Sequence, residues 1–174
     1  ILQRYEGLHT GEVIIAKPSP NMRWVVTASA DDTIGIWDLE TAEVIAQLSG
    51  HTRQIINVDF APDSQLMISH ALDGSIFVWD TQTWEIIRSL DGHRNAVMRV
   101  LFMDDPQFAV SVSWDETAIL WDVTTGDIVR RFEGSGSRMR NAALSPDNQY
   151  LSATTYDGTV VTWWVRPDQD TVLG

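Results

Sequence analysis

One octet is written four times along this chain. Asp31-Asp32-Thr33-Ile34-Gly35-Ile36-Trp37-Asp38 is followed by Asp73-Gly74-Ser75-Ile76-Phe77-Val78-Trp79-Asp80 and by Asp115-Glu116-Thr117-Ala118-Ile119-Leu120-Trp121-Asp122. A worn copy, Asp157-Gly158-Thr159-Val160-Val161-Thr162-Trp163, ends on Trp164 in place of Asp. Trp37, Trp79, Trp121 and Trp163 stand 42 residues apart. A fixed period of about 40–45 residues marks a repeat array, in which each period is one supersecondary unit that buries its apolar faces only against its neighbours.

Within a period the residues read as four short strands, a to d. In the second copy strand a is Ile55 to Phe60, with Ile56, Val58 and Phe60 expected on one face. A Pro62-Asp63 turn follows, since Pro presets φ and Asp bonds its own backbone. Strand b runs from Gln65 to Ala71, strand c from Ser75 to Asp80 after an Asp-Gly turn, and strand d from Glu85 to Leu90. Four β-rich segments punctuated by Gly, Pro and Asp imply an all-β design of consecutive hairpins. At the 42-residue offset Gly50, Gly92 and Gly134 align, as do His9, His51 and His93, with Ser135 in the fourth place. Pro18 stands where Phe60 and Phe102 do, so the end of the first strand a is expected to be irregular.

Gly-His before an apolar strand, then Pro-Asp, then Asp-x-Thr-Ile-x-x-Trp-Asp, resembles the WD-repeat family of β-propellers over nearly the whole chain. The resemblance implies an all-β propeller segment of about four blades, each a four-stranded antiparallel sheet. Residues 8–49, 50–91, 92–133 and 134–174 are then the repeats, the last incomplete with a poor strand d at Asp170-Thr171-Val172-Leu173. Residues 1–7, similar to Val129–Gly134, become the outgoing strand d of a preceding blade. The resemblance also implies a polar chain in each blade: a buried indole N–H on strand c, a Ser or Thr hydroxyl on strand b, the His and the Asp of the b–c turn. It carries onto Trp37, Ser29, His9 and Asp31, and onto Trp121, Ser113, His93 and Asp115. The second repeat keeps Trp79, His51 and Asp73 but has Ala71 in the hydroxyl place; the fourth keeps Trp163, Thr155 and Asp157 but lacks the His. Those two blades are expected to be the looser ones, because a buried polar group without its partner costs about 1–3 kcal/mol.

Ser, His and Asp together invite a hydrolase reading, but a trio repeated blade by blade is a structural device. There is no Gly-x-Ser-x-Gly elbow, phosphate loop or His-Glu-x-x-His helix, and the Asp104-Asp105 turn lacks calcium-loop spacing. No catalytic residue, cofactor or metal is therefore expected. A propeller enzyme working in the central channel would have only Asn57, Asp59, Arg99 and Asn141 to work with. His70 reads as a surface or strand-b histidine. Binding residues are sought at the b–c and d–a turns, which share one end of a propeller: Leu72, Trp114 and Tyr156 precede the turn aspartates, and Arg94, Arg138 and Arg140 lie nearby. Exposed aromatics flanked by Arg have the composition of binding hot spots, here suited to acidic or aromatic peptide ligands.

Charge narrows the partners. Twelve Lys and Arg against twenty-four Asp and Glu leave a net charge of −12, which disfavours phosphate backbones and suits a protein partner. No apolar run reaches the roughly 18 residues of a membrane span. The chain has no Cys, consistent with a reducing, cytoplasmic setting. The function implied is a non-catalytic scaffold or protein-interaction platform; the alternative is a regulatory or sensor propeller attached to an upstream enzyme such as a kinase or nucleotide-switch ATPase. Four blades cover about half a ring and would leave apolar end faces. The missing blades are expected from the rest of a longer chain, or from a second copy that closes an eight-bladed homodimer; a compact four-bladed ring is the remaining option.

Overall fold

The computed structural model describes residues 3–165, which form fifteen strands and no helix. The first sheet contains β1 (Val13–Pro18), β2 (Trp24–Ser29), β3 (Ile34–Asp38) and β4 (Val44–Leu48). The second contains β5 (Ile55–Phe60), β6 (Leu66–Ala71), β7 (Ile76–Asp80) and β8 (Ile86–Ser89). The third contains β9 (Val97–Phe102), β10 (Phe108–Ser113), β11 (Thr117–Asp122) and β12 (Ile128–Glu133). The fourth has three described strands, β13 (Met139–Leu144), β14 (Tyr150–Thr155) and β15 (Val160–Trp164). Strands pair in sequence order, all antiparallel. The sheets are consecutive propeller blades that do not close into a ring.

Three apolar layers hold the blades together. The first joins Val26, Ala28, Ile34 and Ile36 to Ile55, Val58, Phe60, Met67 and Trp79. The second joins Ile68, Ile76, Val78 and Leu90 to Val97, Val100, Ile119 and Trp121. The third joins Val110, Val112, Ala118 and Leu120 to Met139, Leu151, Ala153 and Val165. Because successive side chains of a strand point to opposite faces, Met67 serves one layer and Ile68 the next. A middle blade buried on both faces needs apolar residues at both parities, which is why Leu66-Met67-Ile68 shows no apolar–polar alternation. The outer strands β4, β8 and β12 carry the half-exposed Val44, Ile45, Ile86, Ile87, Ile128 and Val129. Fully burying an indole such as Trp121 removes roughly 150–250 Å² from water, about 4–6 kcal/mol as an upper bound.

The b–c turn needs a left-handed residue at one position, and the four blades fill it with Asp32, Gly74, Glu116 and Gly158, at φ of 63°, 86°, 73° and 85°. Three sequence expectations change. Pro18 pairs regularly with Val25; the irregularity lies at the other end of β1, between Val13 and Ile15, and recurs in the first strand of every blade. In β5 that bulge leaves Ile56 unpaired between Ile55 and Asn57, so Ile55, and not Ile56, joins Val58 and Phe60 in the core. Residues 3–7 form no strand. They lie over the outer face of the first blade, where Tyr5 meets the Trp37 indole edge-on at 5.7 Å and donates to Leu39 O. The segment Asp170 to Leu173 lies outside the described residues.

Candidate functional site

Each indole of the first three blades is held by a hydroxyl two residues earlier than the resemblance implied. Trp37 Nε1 donates to Thr27 Oγ1, Trp79 to Ser69 Oγ and Trp121 to Ser111 Oγ, all at 2.8 Å. The same oxygens lie 2.7 Å from Nε2 of His9, His51 and His93. The arrangement that satisfies every group has the hydroxyl donating to Nε2 and Nδ1–H donating onward. His9 reaches Asp31 at 3.2 Å and His93 reaches Asp115 at 2.9 Å. His51 instead meets Ser75 Oγ at 2.7 Å, which donates to Asp73. Ser29, Ser113 and Thr155 are therefore not the bridging hydroxyls. Trp37 pairs across the strands with Val25; Thr27 is two residues along the same face, about 7 Å, whereas Ser29 is about 13 Å away. Ser29 and Ser113 accept the N–H of Asp31 and Asp115, and Thr155 donates to Asp157. The second blade, expected to be loose because of Ala71, has its complete relay through Ser69.

The fourth blade is the one that lacks it. Ala153 occupies the hydroxyl position and Ser135 the His position, and Trp163 Nε1 donates to the backbone of Glu133 at 3.1 Å. Electrostatics follow the bonding. Burial pushes the Asp31 and Asp115 carboxyls up, but hydrogen bonds from Thr33 and Thr10, and from His93 and Arg94, outweigh it and hold both well below the usual range. Asp73 is likewise lowered to about 2, the bonds from Ser75 and Thr52 outweighing burial. Burial lowers His51 to about 4, against the pull of Asp73. The imidazoles of His9, His51 and His93 are at most 4% exposed. A hydroxyl already accepting an indole N–H in such a place serves as a strut.

At the b–c end a second group of side chains is assembled. The N–H groups of Ala30, Leu72, Trp114 and Tyr156 donate to the carbonyls of Glu12, Gln54, Ala96 and Arg138, which tie each b–c turn to the start of strand a. Trp114 and Tyr156, from adjacent blades, meet edge-to-face at 6.1 Å. Arg138 lies over the Trp114 ring at 5.4 Å and Arg140 over the Tyr156 ring at 5.9 Å. Tyr156, Arg138 and Arg140 are exposed and Trp114 is half-buried, its indole N–H without an acceptor among the described residues. Neither arginine forms an ion pair among the described residues. Leu72 and Arg94 sit at the corresponding turns of the neighbouring blades, and no hydrogen bond or ring contact joins their side chains to these four. Among the described residues no cluster of carboxylates and imidazoles could hold a metal ion.

The model of the WD domain, G-beta repeat, matches four times, over residues 6–38, 42–80, 84–122 and 126–163. The chain belongs to the WD-repeat family. Among curated proteins none matches it. WD repeats generally mediate protein–protein interaction or scaffolding and are typically non-catalytic. In this WD-repeat array sequence reasoning missed Thr27, Ser69 and Ser111, which recur at the 42-residue offset inside otherwise apolar strands. It also missed the role of His70, which is a strand-b residue as expected but is buried, its Nδ1 2.9 Å from Val97 O of the next blade. Burial lowers this imidazole to about 3, so its neutral Nδ1–H donates to that carbonyl.

Proposed function

We propose that this WD-repeat chain is a non-catalytic platform that binds a protein partner through the face made by Trp114, Tyr156, Arg138 and Arg140. The observation that carries the reading is the cross-blade pair of aromatic rings, each with an arginine laid on it and neither arginine ion-paired among the described residues. Rigid aromatics and Arg dominate binding energies because they offer large contact area at little conformational cost. Replacing Trp114 and Tyr156 together by Ala is expected to weaken capture of the partner by about 2 kcal/mol or more, roughly 30-fold, while the melting temperature stays nearly unchanged. Collapse of the melting transition would instead make the two rings part of the blade packing, and unchanged capture would remove the face from consideration. The same reading has the ring completed by further blades, from a longer chain or from a second copy.

A further inference from the structure

A cleft of about 450 Å³ opens between the first two blades, lined by Asn21, Arg23, Trp24, Ile45, Gln65, Thr81, Gln82 and Trp84. Trp84 has φ of +60°, at a turn position that Ala42 fills in the first blade and Gly126 in the third. The left-handed conformation belongs to the turn, since Ala42 and Gly126 share it; what is particular to the second blade is the bulky side chain placed there, which that conformation disfavours. The indole it places there stands edge-on to Trp24 at 5.1 Å, with the Arg23 guanidinium 5.1 Å from the Trp24 ring. At the next junction Gly126 replaces the indole, and Arg88 lies beside it and donates to Thr124 O. Ala46 stands at the position of Arg88 in the first blade, which leaves this cleft open.

The polar groups of the wall are weighted toward donors, with Gln82 Oε1 the amide oxygen that accepts nothing among the described residues. Asn21 Oδ1 is taken by Ser19 Oγ and Arg23 N, Gln65 Oε1 by Gln82 Nε2, and Thr81 Oγ1 donates inward to Ser64 O. Among the described residues no acceptor meets the side-chain N–H groups of Asn21, Arg23, Gln65, Trp24 or Trp84. Among the described residues no carboxylate lines the cleft. The wall therefore presents mainly N–H dipoles beside flat apolar rings, and its one guanidinium, that of Arg23, is partly offset by the Asp38 carboxylate on the paired strand. An occupant complementary to it offers carbonyl oxygens and apolar ring faces and brings few N–H donors of its own. Proline-rich backbone answers that description: its imide has no N–H, its carbonyls accept, and its polyproline II form is preorganised for aromatic-lined grooves.

We infer that this inter-blade cleft is a second, independent binding site, for a proline-rich segment of a protein partner in the polyproline II conformation. The test is titration of the whole chain with acetyl-decaproline-amide, followed through the indole N–H resonances of its eight tryptophans. Saturable shifts are expected at Trp24 and Trp84, with Trp114 unmoved. Trp84→Gly, which installs the residue the third blade uses, should abolish the Trp24 shift; because Trp84 packs on the first core layer, its melting temperature is expected to fall, while its far-ultraviolet circular dichroism matches the parent's. Absence of shifts at millimolar peptide would overturn the inference, as would an undiminished Trp24 response in Trp84→Gly. Shifts at the two indoles with chito-oligosaccharide and not with decaproline would also overturn it, in favour of a sugar site.

Discussion

Ser69 holds two groups at once, accepting from Trp79 Nε1 and donating to His51 Nε2, both buried. Ser69→Ala leaves both without partners, so a loss of about 2 kcal/mol or more is expected in urea unfolding, against less than about 1 kcal/mol for Ser29→Ala. Ala71 already stands at the position of Ser29 in the second blade, and equal losses would refute the assignment of the relay. The histidines set an acid limit. Burial lowers His51 to about 4 and His70 to about 3, below the ordinary value near 6.5. The unfolded chain therefore binds more protons as pH falls through about 6.5, and the stability these groups contribute above that pH is lost on the way to their folded values. The lowered Asp31, Asp73 and Asp115 add their own loss below about pH 4. The melting temperature should fall steadily from pH 7 to 4.5, and His70→Phe should flatten that slope whatever its absolute stability. Trp, His and Asp of the relay were legible because they repeat at the period. The hydroxyl was not, because Thr27 and Ser29, like Ser111 and Ser113, share one face of a strand, and parity cannot say which of two is in reach.

A blade is the next unit, and the fourth shows what the relay does for a sheet. Its Trp163 is only partly buried and donates to a backbone carbonyl, whereas Trp37, Trp79 and Trp121 are at most 3% exposed. Ser135→His with Ala153→Ser would rebuild the relay toward Asp157. Ala153→Ser alone buries a hydroxyl at a fully buried site with no imidazole to receive it. The double variant is expected to be about 1 kcal/mol more stable than the sum of the two single effects predicts. Additive effects in a four-variant urea series would deny the coupling. Strand order and most strand ends could be read from turn residues and apolar runs. The recurrent bulge in the first strand could not, since an extra residue such as Ile56 has the composition of its neighbours. Nor could the exchange at the Gly-His position: the first blade has Leu8 where the others have Gly, and Gly35 on the facing strand makes the room, a Cβ there falling 2.6 Å from Leu8 Cδ2. Such compensation is a property of two strands in contact and leaves no mark on either alone.

For the whole molecule the question is what becomes of two end faces. An open array of blades was expected to leave both apolar. The first is covered by its own chain: Tyr5 packs on Trp37, and Leu8 fills the space over Gly35. The fourth is polarised. Its outward pairs are Tyr150 with Trp164, Ser152 with Thr162 and Thr154 with Val160, and the hydroxyls of Ser152 and Thr162 lie 2.9 Å apart. The third blade has Val110, Val112 and Leu120 at three of the corresponding positions, all buried against the fourth. A polar outer face is how repeat arrays keep an end soluble. Yet Val160 is 64% exposed and Tyr150 43%, so an apolar remnant stays open to a neighbouring blade. If a neighbour belongs there, whether from a longer chain or a second copy, the chain on its own should show concentration-dependent association in sedimentation velocity. Tyr150→Lys with Val160→Lys should return it to a monomer at unchanged far-ultraviolet circular dichroism, since both positions point away from the third core layer. A single monomeric species from micromolar to millimolar concentration would mean that the hydroxyl-bearing face is a finished cap, and would overturn both ways of completing the ring.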